Sequence, residues 1–456
     1  MDTLILNGIV ITGDADGRVV RDGGVAVQGD RITAVGPADE LRRQFPTLPA
    51  IDARGNAVIP GLINSHTHTL LTVLRAFVED SMIPVVYSYM VPITFVLNDD
   101  ERSALAAVGT LEALRCGTTT LVDPLRHVAA YAGAMAASGL RLYLSESCID
   151  AVITEVRHGR YTYSRQWGEA SLERATTLLD RWHMADNGRV QCMVAAHAPD
   201  NCSPWMLRQL VDLSEKRGVR RTVHLAQSRA ELEQVRNLHP GTSAEYLKEY
   251  GFVGPDVIAA HWSFCNSDDI ALLADTNTSI AHCPTSSSRR GTSGGAPIPQ
   301  IEDAGVNITL GTDNMSEDMF EALRFGLMLN RGKRGNGERP APADLFRWAT
   351  RNGARALGRE DDLGSLEPGK KADLCIVNVR KAHLTPMLNP LATLVHYGQG
   401  SDVEAVMVDG RFVMQDGKVL TMNEDDVIRN AQEAAAAAWK RFHAANPDLP
   451  VPAWVV

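Results

Sequence analysis

The side chains best suited to chemistry in this sequence are histidines that directly follow short apolar runs. His66 and His68 follow the run that begins at Val58, and residues i and i+2 of a strand face the same side, so both imidazoles can reach one ion. Three further histidines and an aspartate also follow apolar runs: His224, His261, His282 and Asp313. A single His-x-His pair arises easily by chance, but this combination predicts a metal site. Imidazole and carboxylate ligands suit zinc, with iron or manganese as alternatives.

The elements that must position these residues follow from the pattern between about residues 58 and 365. Short apolar runs, such as residues 118–123 and 257–261, alternate with helical stretches such as 101–115, and this alternation is typical of parallel β–α–β units. Roughly 310 residues shared among eight units gives about 38 residues per unit, which fits a (β/α)8 barrel of the TIM type. A doubly wound open sheet is the alternative, but no Gly-x-Gly-x-x-Gly motif opens a helix here.

The two ends of the chain share a different pattern. Residues 3–37 and 373–419 contain period-two apolar runs separated by turns such as Asp16-Gly17, which predicts antiparallel hairpins. Neither end has enough strands for a stable sheet, so we expect both to pair in one small β-sandwich domain. The predicted division is 1–57 and 366–422 for that domain, 58–365 for the barrel, and 423–456 for a helix and tail that begin at Asn423.

Composition argues against several classes of protein. The 456-residue chain carries a formal net charge of −10, and this acidic balance disfavours a nucleic-acid partner. Its seven cysteines form no Cys-x-x-Cys pair, which favours a reducing compartment, so we expect a cytoplasmic protein. No signal peptide is evident at the start, and the most apolar window, residues 85–97, is too short to span a bilayer. The expected partner is therefore a small molecule rather than nucleic acid or a membrane.

Several motifs resemble those of the amidohydrolase superfamily. They are Gly61-Leu-Ile-Asn-Ser-His-Thr-His, His224-Leu-Ala-Gln-Ser-Arg-Ala-Glu-Leu, Ala260-His-Trp, Ala281-His-Cys-Pro-Thr-Ser, Leu310-Gly-Thr-Asp and Gly364-Ser-Leu-Glu-Pro-Gly-Lys-Lys-Ala-Asp-Leu. The resemblance covers nearly the whole chain. It is greatest to the branch of chlorohydrolases and aminohydrolases, which includes S-adenosylhomocysteine/methylthioadenosine deaminases and s-triazine hydrolases. It implies a homo-oligomer with hydrolytic chemistry at a divalent metal ion, most often zinc.

The resemblance also implies a role for each strand-end residue. Four side chains would bind one divalent ion and leave room for a water molecule: His66, His68, His224 and Asp313. Asp313 would also take the proton of that water, and His261 would polarise the water or stabilise the tetrahedral intermediate. His197 would contact the substrate. His282 would open a segment that lines the pocket, or have a purely structural role.

One residue departs from this pattern. Deaminases of the branch carry a glutamate three residues after the third metal histidine, where it moves a proton to a ring nitrogen, whereas this chain has Gln227. A neutral amide forms hydrogen bonds but exchanges no proton, and general acid–base help is worth about 10²–10⁴-fold. Deamination could then rely on Asp313 and His261, or the enzyme could hydrolyse another bond. Two further alternatives are binding without catalysis, and a carboxylate such as Glu231 in place of the family glutamate.

Two other segments depart from the family pattern. Arg289 and Arg290 could attract an anionic or carbonyl-rich substrate, although two solvated loop arginines are the simpler interpretation. Residues 81–97 would roof the pocket, so Tyr87, Tyr89 and Met90 are candidates for substrate contact or for ordinary core packing. The predicted catalytic residues are Asp313, His261 and Gln227. The predicted substrate-binding residues are His197, Gln227, Tyr89 and Arg289.

The predicted function is that of a metal-dependent hydrolase. Its activated water would attack an electrophilic carbon of a small nitrogen-rich substrate, deaminating an N-heteroaromatic ring or displacing another group such as a halide. The alternatives are hydrolysis of an acyclic amide, urea or carbamate C–N bond, and a non-catalytic protein that keeps the fold and binds metal or ligand.

Overall fold

The structure, a computed structural model, describes residues 2–80, 85–289 and 295–450, and this part of the chain forms two nine-stranded sheets with helices around them. The strands are β1 (Thr3–Ile11), β2 (Val19–Gln28), β3 (Arg31–Pro37), β4 (Ala50–Asp52), β5 (Ala57–Pro60), β6 (Leu62–Asn64), β7 (Thr118–Leu125), β8 (Arg141–Cys148), β9 (Val190–Cys192), β10 (Val194–Ala196), β11 (Arg221–Leu225), β12 (Val257–His261), β13 (Ser279–His282), β14 (Ile308–Leu310), β15 (Leu374–Val377), β16 (Val403–Val408), β17 (Arg411–Gln415) and β18 (Lys418–Val419).

The helices separate the strands of the middle region and close the chain. They are α1 (Ala38–Gln44), α2 (Val91–Val96), α3 (Asp99–Arg115), α4 (Val128–Ala136), α5 (Ile153–Val156), α6 (Arg165–Trp182), α7 (Ala185–Gly188), α8 (Pro204–Arg217), α9 (Arg229–Leu238), α10 (Ser243–Glu249), α11 (Ser267–Asp275), α12 (Pro284–Arg289), α13 (Ile298–Asp303), α14 (Met319–Arg334), α15 (Pro342–Trp348), α16 (Arg351–Ala356), α17 (Pro390–Tyr397) and α18 (Glu424–Ala445). None of the helices in the described ranges combines the length and apolar character needed to cross a membrane.

One sheet is an eight-stranded parallel barrel. Its strands neighbour one another in the order β6, β7, β8, β10, β11, β12, β13, β14, and β9 pairs with β8 just before β10. Every residue of β7 and β8 is buried, as expected for parallel strands covered on both faces. The ring closes beyond β6 and β14, where Thr67 pairs with Asp313 and the Asp313 N–H donates to the His66 carbonyl at 3.0 Å. The predicted barrel is confirmed.

The other sheet combines both ends of the chain, as predicted. Its strands run in the order β18, β17, β16, β15, β5, β1, β2, β3, with β4 paired to β1. The two ends meet where β15 pairs antiparallel with β5 and Cys375 lies opposite Ile59. The buried residues Ile5, Val25 and Met407 belong to one hydrophobic cluster. The β-domain is therefore built from one continuous sheet with a shared core.

Gly61 marks the passage from one sheet to the other, since β5 ends at Pro60 and β6 begins at Leu62. A Cβ atom at Gly61 would lie 2.1 Å from the Thr119 hydroxyl oxygen, so only glycine lets β6 approach β7 this closely. A buried ion pair also joins the sheets: Arg141 of β8, only 1% exposed, donates from Nε and Nη2 to Asp373 at 2.9 and 3.1 Å.

Helix α18 packs over the turn that follows the first two histidines. As predicted, Asn423 begins this helix, because its side chain accepts a hydrogen bond from the Asp426 N–H. The Trp439 indole N–H donates to the Val73 carbonyl at 2.7 Å, and its ring stacks on Phe77 with centroids 3.9 Å apart. These contacts hold the 3-10 turn Thr69–Leu74 against the barrel.

Candidate metal centre

Four side chains named from the sequence converge at the C-terminal mouth of the barrel. They are His66, His68, His224 and Asp313, and all are buried. The Nε2 atom of His68 lies 3.2 Å from Nε2 of His224 and 3.5 Å from Oδ1 of Asp313. The Nε2 atom of His66 lies 3.9 Å from the same Asp313 oxygen. Ligands around a tetrahedral ion with bonds of about 2.1 Å lie about 3.4 Å apart, so this spacing fits one divalent cation.

The protonation of two of these histidines also suits a cation. Nδ1 of His224 donates to the His197 carbonyl at 2.5 Å, which leaves the Nε2 lone pair facing His68. Burial lowers the pKa of His68 to about 3, assisted by the positive charges that His224 and His261 would carry. His68 is therefore neutral at pH 7 and offers a lone pair as well. The residues present fit a divalent ion in both spacing and protonation.

Asp313 is held in place by its neighbours. The Ser286 hydroxyl donates to Oδ2, and the Asn314 amide donates to Oδ1 at 3.0 Å. The His68 N–H donates to the Asp313 carbonyl at 2.8 Å. Because donors contact both carboxylate oxygens, the side chain has a fixed orientation toward the histidines.

Five residues around the site have left-handed backbone conformations. Ala226, His261, Trp262, Asp313 and Met315 have φ angles between +49° and +81°. Such conformations cost about 1–3 kcal/mol each in residues other than glycine, and they persist where the surrounding structure determines them. Two of these five residues are among those predicted to act in catalysis. The fold therefore stores strain at the mouth of the barrel to turn these side chains toward one point.

The centre lies in a cleft whose empty space, including the part open to solvent, is about 370 Å³. One wall is apolar and combines β7 with the segment that follows residue 85: Val86, Met90, Val91, Pro124 and Leu125. The polar wall contains residues predicted from the sequence, namely His68, His197, His224, Gln227, His261 and Asp313. An apolar wall that faces a few convergent polar groups suits a flat ring.

His261 and His197 lie on either side of His224. The His261 ring centroid is 5.4 Å from that of His224 and 5.5 Å from that of His66. The His197 ring centroid is 4.9 Å from that of His224, and the Asn201 amide donates to its Nδ1 at 2.5 Å. The structure thus brings both of these predicted residues to the centre.

Gln227, and not Glu231, lies at the cleft. Glu231 is 1% exposed, and its two oxygens accept from the backbone N–H groups of Ala226 at 2.7 Å and of Gln227 at 2.8 Å. Burial, and after it the nearby Asp200 carboxyl, together raise the pKa of Glu231 to about 8. Glu231 therefore supports the loop that carries Gln227 from behind, while Gln227 itself lines the cleft.

Two predicted substrate-binding residues lie elsewhere. The Tyr89 ring packs against Phe442 with centroids 5.9 Å apart, and its hydroxyl donates to the Pro450 carbonyl at 3.1 Å. Arg289 lies 3.3 Å from the Glu321 carboxylate. Neither is among the described residues that line the cleft. The physical reason at Tyr89 is that Val86–Met90 forms a π-helical turn, whose first and last residues face the cleft while Tyr89 faces α18.

The remaining sequence candidates have other surroundings. His282 accepts a hydrogen bond from the Asn330 amide at 3.1 Å, and burial lowers its pKa to about 3. The Tyr87 hydroxyl donates to Asp200 at 2.8 Å and lies beside the cleft rather than in it. Arg290 lies outside the described residues.

Sequence reasoning missed Ser286, which contacts Asp313, and Arg126, which lines the cleft. Arg126 obeys the same rule as the histidines, since it directly follows β7. The signal was hidden by Pro124, because a proline inside an apolar run suggests that the strand has already ended.

A model described as the amidohydrolase family matches residues 57–413, which includes the whole barrel and the metal centre. The chain belongs to the amidohydrolase family. A second model, an imidazolonepropionase-like composite domain of bacteria, matches residues 23–47 in the β-domain. Family and donor set together support a divalent metal ion at the centre of this amidohydrolase.

Similar proteins include deaminases. A 5'-deoxyadenosine deaminase of Methanosarcina acetivorans is 32% identical over 448 residues, which cover 97% of this amidohydrolase and 100% of that protein. A 5-methylthioadenosine/S-adenosylhomocysteine deaminase of Moorella thermoacetica is 34% identical over 432 residues, covering 94% and 96%. The structure of an adenosine deaminase from Xanthomonas campestris with bound zinc has a TM-score of 0.87 and 26% identity, covering 96% and 99%.

An atrazine chlorohydrolase of Arthrobacter aurescens, solved with zinc, has a TM-score of 0.84 and 23% identity, with 95% of this chain and 100% of that chain covered. At this identity the likeness shows that the two proteins share a fold. A shared fold does not decide which group is displaced, so that choice must depend on the residues around the metal centre.

Proposed function

We propose that this amidohydrolase is a zinc-dependent hydrolase that removes an amino group, as ammonia, from an N-heteroaromatic ring. The observation that carries the proposal is the convergence of three imidazoles and the Asp313 carboxylate on one point of a cleft with an apolar wall. Relatives named as deaminases, which match almost the full length of the chain, support the choice of leaving group. The same ligands accept iron or manganese, which are the alternative metals.

The residues of the centre would have separate tasks. The ion would be held by four ligands: His66, His68, His224 and Asp313. When bound, a divalent ion lowers the pKa of a coordinated water molecule from about 16 to about 7, which supplies a nucleophile at neutral pH. Asp313 would accept the proton that the attacking water loses, because Ser286 and Asn314 hold its carboxylate toward the histidines. His261 would polarise the attacking water or stabilise the tetrahedral intermediate with a hydrogen bond.

Gln227 would bind the ring without exchanging a proton. Its amide can donate to a ring nitrogen or accept from an exocyclic amine, and Glu231 holds its backbone in place. The proton that ammonia needs on departure would then come from Asp313. His197, whose Nδ1 already accepts from Asn201, would present its other ring nitrogen as a donor to the substrate.

Gln227 also favours a second candidate, the displacement of a leaving group that departs as an anion, such as a halide. An anionic leaving group needs no proton, whereas ammonia does, and the lost acid–base help is worth about 10²–10⁴-fold. The two candidates share every other residue of the site, so they differ only in the group on the attacked carbon.

The experiment compares matched rings that differ in one substituent. Purified protein is analysed for zinc, iron and manganese, reconstituted with each, and assayed on amino- and chloro-substituted triazines, purines and pterins, with ammonia and chloride both measured. Ammonia release that requires metal and is abolished by Asp313→Ala supports deamination, while chloride release alone supports the second candidate. Cleavage of ureas or carbamates, with no reaction on any ring, overturns both, as does a protein that binds no metal.

We also propose a homo-oligomer in a reducing, cytoplasmic compartment. Phe325 and Met328 are 42% and 58% exposed on one face of α14, which suits an interface between copies, and the seven cysteines are all free thiols. Light scattering after size-exclusion chromatography tests the oligomer, and a single monomeric peak would contradict it.

A further inference from the structure

Arg126 is a fully buried guanidinium in the wall of the metal-centre cleft. It follows β7 directly, is 2% exposed, and lines the cleft together with His68, His197 and Asp313. Its Nε donates to the Thr94 hydroxyl at 3.3 Å. Its Nη1 is buried and has no hydrogen-bond partner among the described residues. A buried donor on a charged group is costly when it lacks an acceptor, so a ligand that supplies one would relieve that cost.

No carboxylate in the described ranges forms an ion pair with Arg126. The acidic group with the largest effect on the pKa of Arg126 is Glu146. The Oε1 atom of Glu146 accepts a hydrogen bond from Arg174 Nε at 2.6 Å, and its Oε2 atom accepts one from the Val128 N–H at 3.3 Å. Two arginines therefore share one carboxylate. Burial lowers the pKa of Arg126 to about 10, so the guanidinium stays charged at neutral pH. The cleft wall consequently carries a positive charge that the protein itself does not balance.

The charge lies near the reacting centre. Arg126 lines the same cleft as His68 and His197. The group that Arg126 binds would therefore belong to the ring held in this cleft or be attached directly to it.

We propose that Arg126 is a specificity-determining residue that binds a planar oxyanion on the substrate ring, either a ring carboxylate or an ionised ring oxo group. A guanidinium presents its donors in a flat fork that matches two coplanar acceptors, such as the oxygens of a carboxylate or the O–C–N edge of an ionised lactam. The substrate class is thus an anionic N-heteroaromatic ring. A neutral ring would leave Nη1 unsatisfied and would bind more weakly. The part of the inference that concerns attack on a ring rests on the proposed function. The part that concerns binding of the anion does not.

The test uses equilibrium binding, so that it does not depend on turnover. Zinc-reconstituted protein is titrated by calorimetry with orotate, which carries a ring carboxylate, with barbiturate, which carries ionised ring oxo groups, and with neutral uracil. Arg126→Gln is expected to weaken binding of at least one anion about 10- to 100-fold, the usual effect of losing hydrogen bonds to a charged group, and to leave uracil binding nearly unchanged. The anion whose affinity falls in Arg126→Gln shows which kind of oxyanion Arg126 binds.

A matched control is Arg102→Gln. Arg102 is also buried, donates from Nη1 to Asp99 at 2.6 Å and from Nη2 to the Thr94 carbonyl at 2.9 Å, and does not line the cleft. It should leave anion binding unchanged. Arg126→Lys keeps the charge without the fork, and should retain part of the affinity even where Arg126→Gln folds poorly.

Some results would overturn the inference. One is that wild type and Arg126→Gln bind both anions with equal affinity at matched zinc content. The other is that Arg126→Gln weakens the binding of orotate, barbiturate and uracil equally. The inference and the proposed function fail separately. Arg126-dependent anion binding without hydrolysis of any ring refutes the proposed function alone. Hydrolysis of neutral rings that is insensitive to Arg126→Gln refutes the inference alone.

Discussion

Asp123 is a fully buried carboxyl on β7 without a cationic partner in the described part of the chain, and replacing it with asparagine tests the cost of that burial. Its Oδ2 accepts from the Thr69 N–H at 3.1 Å and from the Thr69 hydroxyl at 2.6 Å. Its Oδ1 is buried without a hydrogen-bond partner among the described residues. Burial raises the pKa of Asp123 from 3.8 to about 7, against the opposing effect of the Thr69 hydrogen bonds.

The sign of the effect follows from proton binding. Between about pH 4 and pH 7 the folded protein keeps the Asp123 proton while the unfolded chain has lost it. The free energy of unfolding therefore falls as pH rises through this window, and this contribution is constant above about pH 7. A difference of about three pKa units corresponds to about 4 kcal/mol in total. Of this, about 2–3 kcal/mol develops between pH 5 and pH 8.

Asp123→Asn removes the ionisation and keeps an acceptor for Thr69. The free energy of unfolding of the variant, minus that of wild type, should therefore rise by about 2–3 kcal/mol from pH 5 to pH 8. Urea unfolding of both proteins at four pH values, with equal zinc, measures this difference. Any cost of burying the new amide shifts all points equally. Asp361→Asn, an exposed change of the same type, serves as the matched control. A flat or falling difference at Asp123 would refute the reasoning.

Three further predictions concern the metal centre. Asp313→Asn should lower turnover about 10²–10⁴-fold by removing the proton acceptor; activity close to wild type would show that another base acts. Gln227→Glu should raise ammonia release about 10²–10⁴-fold and leave chloride release from the matched ring unchanged, and equal changes in both products would contradict the role of Gln227. Glu317→Ala should weaken zinc binding about 10- to 100-fold in competition with a chelator, because the Thr67 hydroxyl, 2.6 Å from Glu317 Oε2, loses its partner. Glu317→Gln should restore most of the affinity. Unchanged affinity in the alanine variant would exclude a positioning role for Glu317.

The barrel and its metal centre could be predicted because both depend on local order in the sequence. A residue that follows a buried strand must lie at the mouth of the barrel, so apolar runs ending in His224 and His261 predict convergence even though 37 residues separate them in the chain. Likewise, Asp-Gly turns predict hairpins at both ends of the chain, and unsatisfied strand edges require those hairpins to pair.

The apolar wall could not be predicted in the same way. The segment from residue 85 to 97 is almost entirely apolar, so its sequence has no clear period that shows which face meets the cleft. Helical geometry selects Val86 and Met90 and turns Tyr89 toward Phe442 of α18, and α18 is more than 300 residues away in the sequence. The role of Glu231 was equally hidden, because it acts by accepting backbone N–H groups, and these have no side-chain signature.

Three buried carboxyls behind the centre each accept hydrogen bonds from a segment that carries a predicted metal ligand. Substitution of these carboxyls should therefore change stability and metal affinity in different directions. Asp123 accepts from Thr69, next to His68; Glu231 accepts from the loop after His224; Glu317 accepts from Thr67 and from Thr312, next to Asp313. Burial raises the pKa of all three acids.

Each carboxyl therefore anchors a segment that carries a ligand, and each opposes folding as pH rises because its ionised form is buried. Replacing one with its amide removes the ionisation cost but also weakens one acceptor of the anchor. Amide variants at these positions should consequently become more stable than wild type at alkaline pH while binding metal less tightly. Burying these carboxyls lowers the stability of the folded protein as pH rises, while their hydrogen bonds fix the geometry of the site.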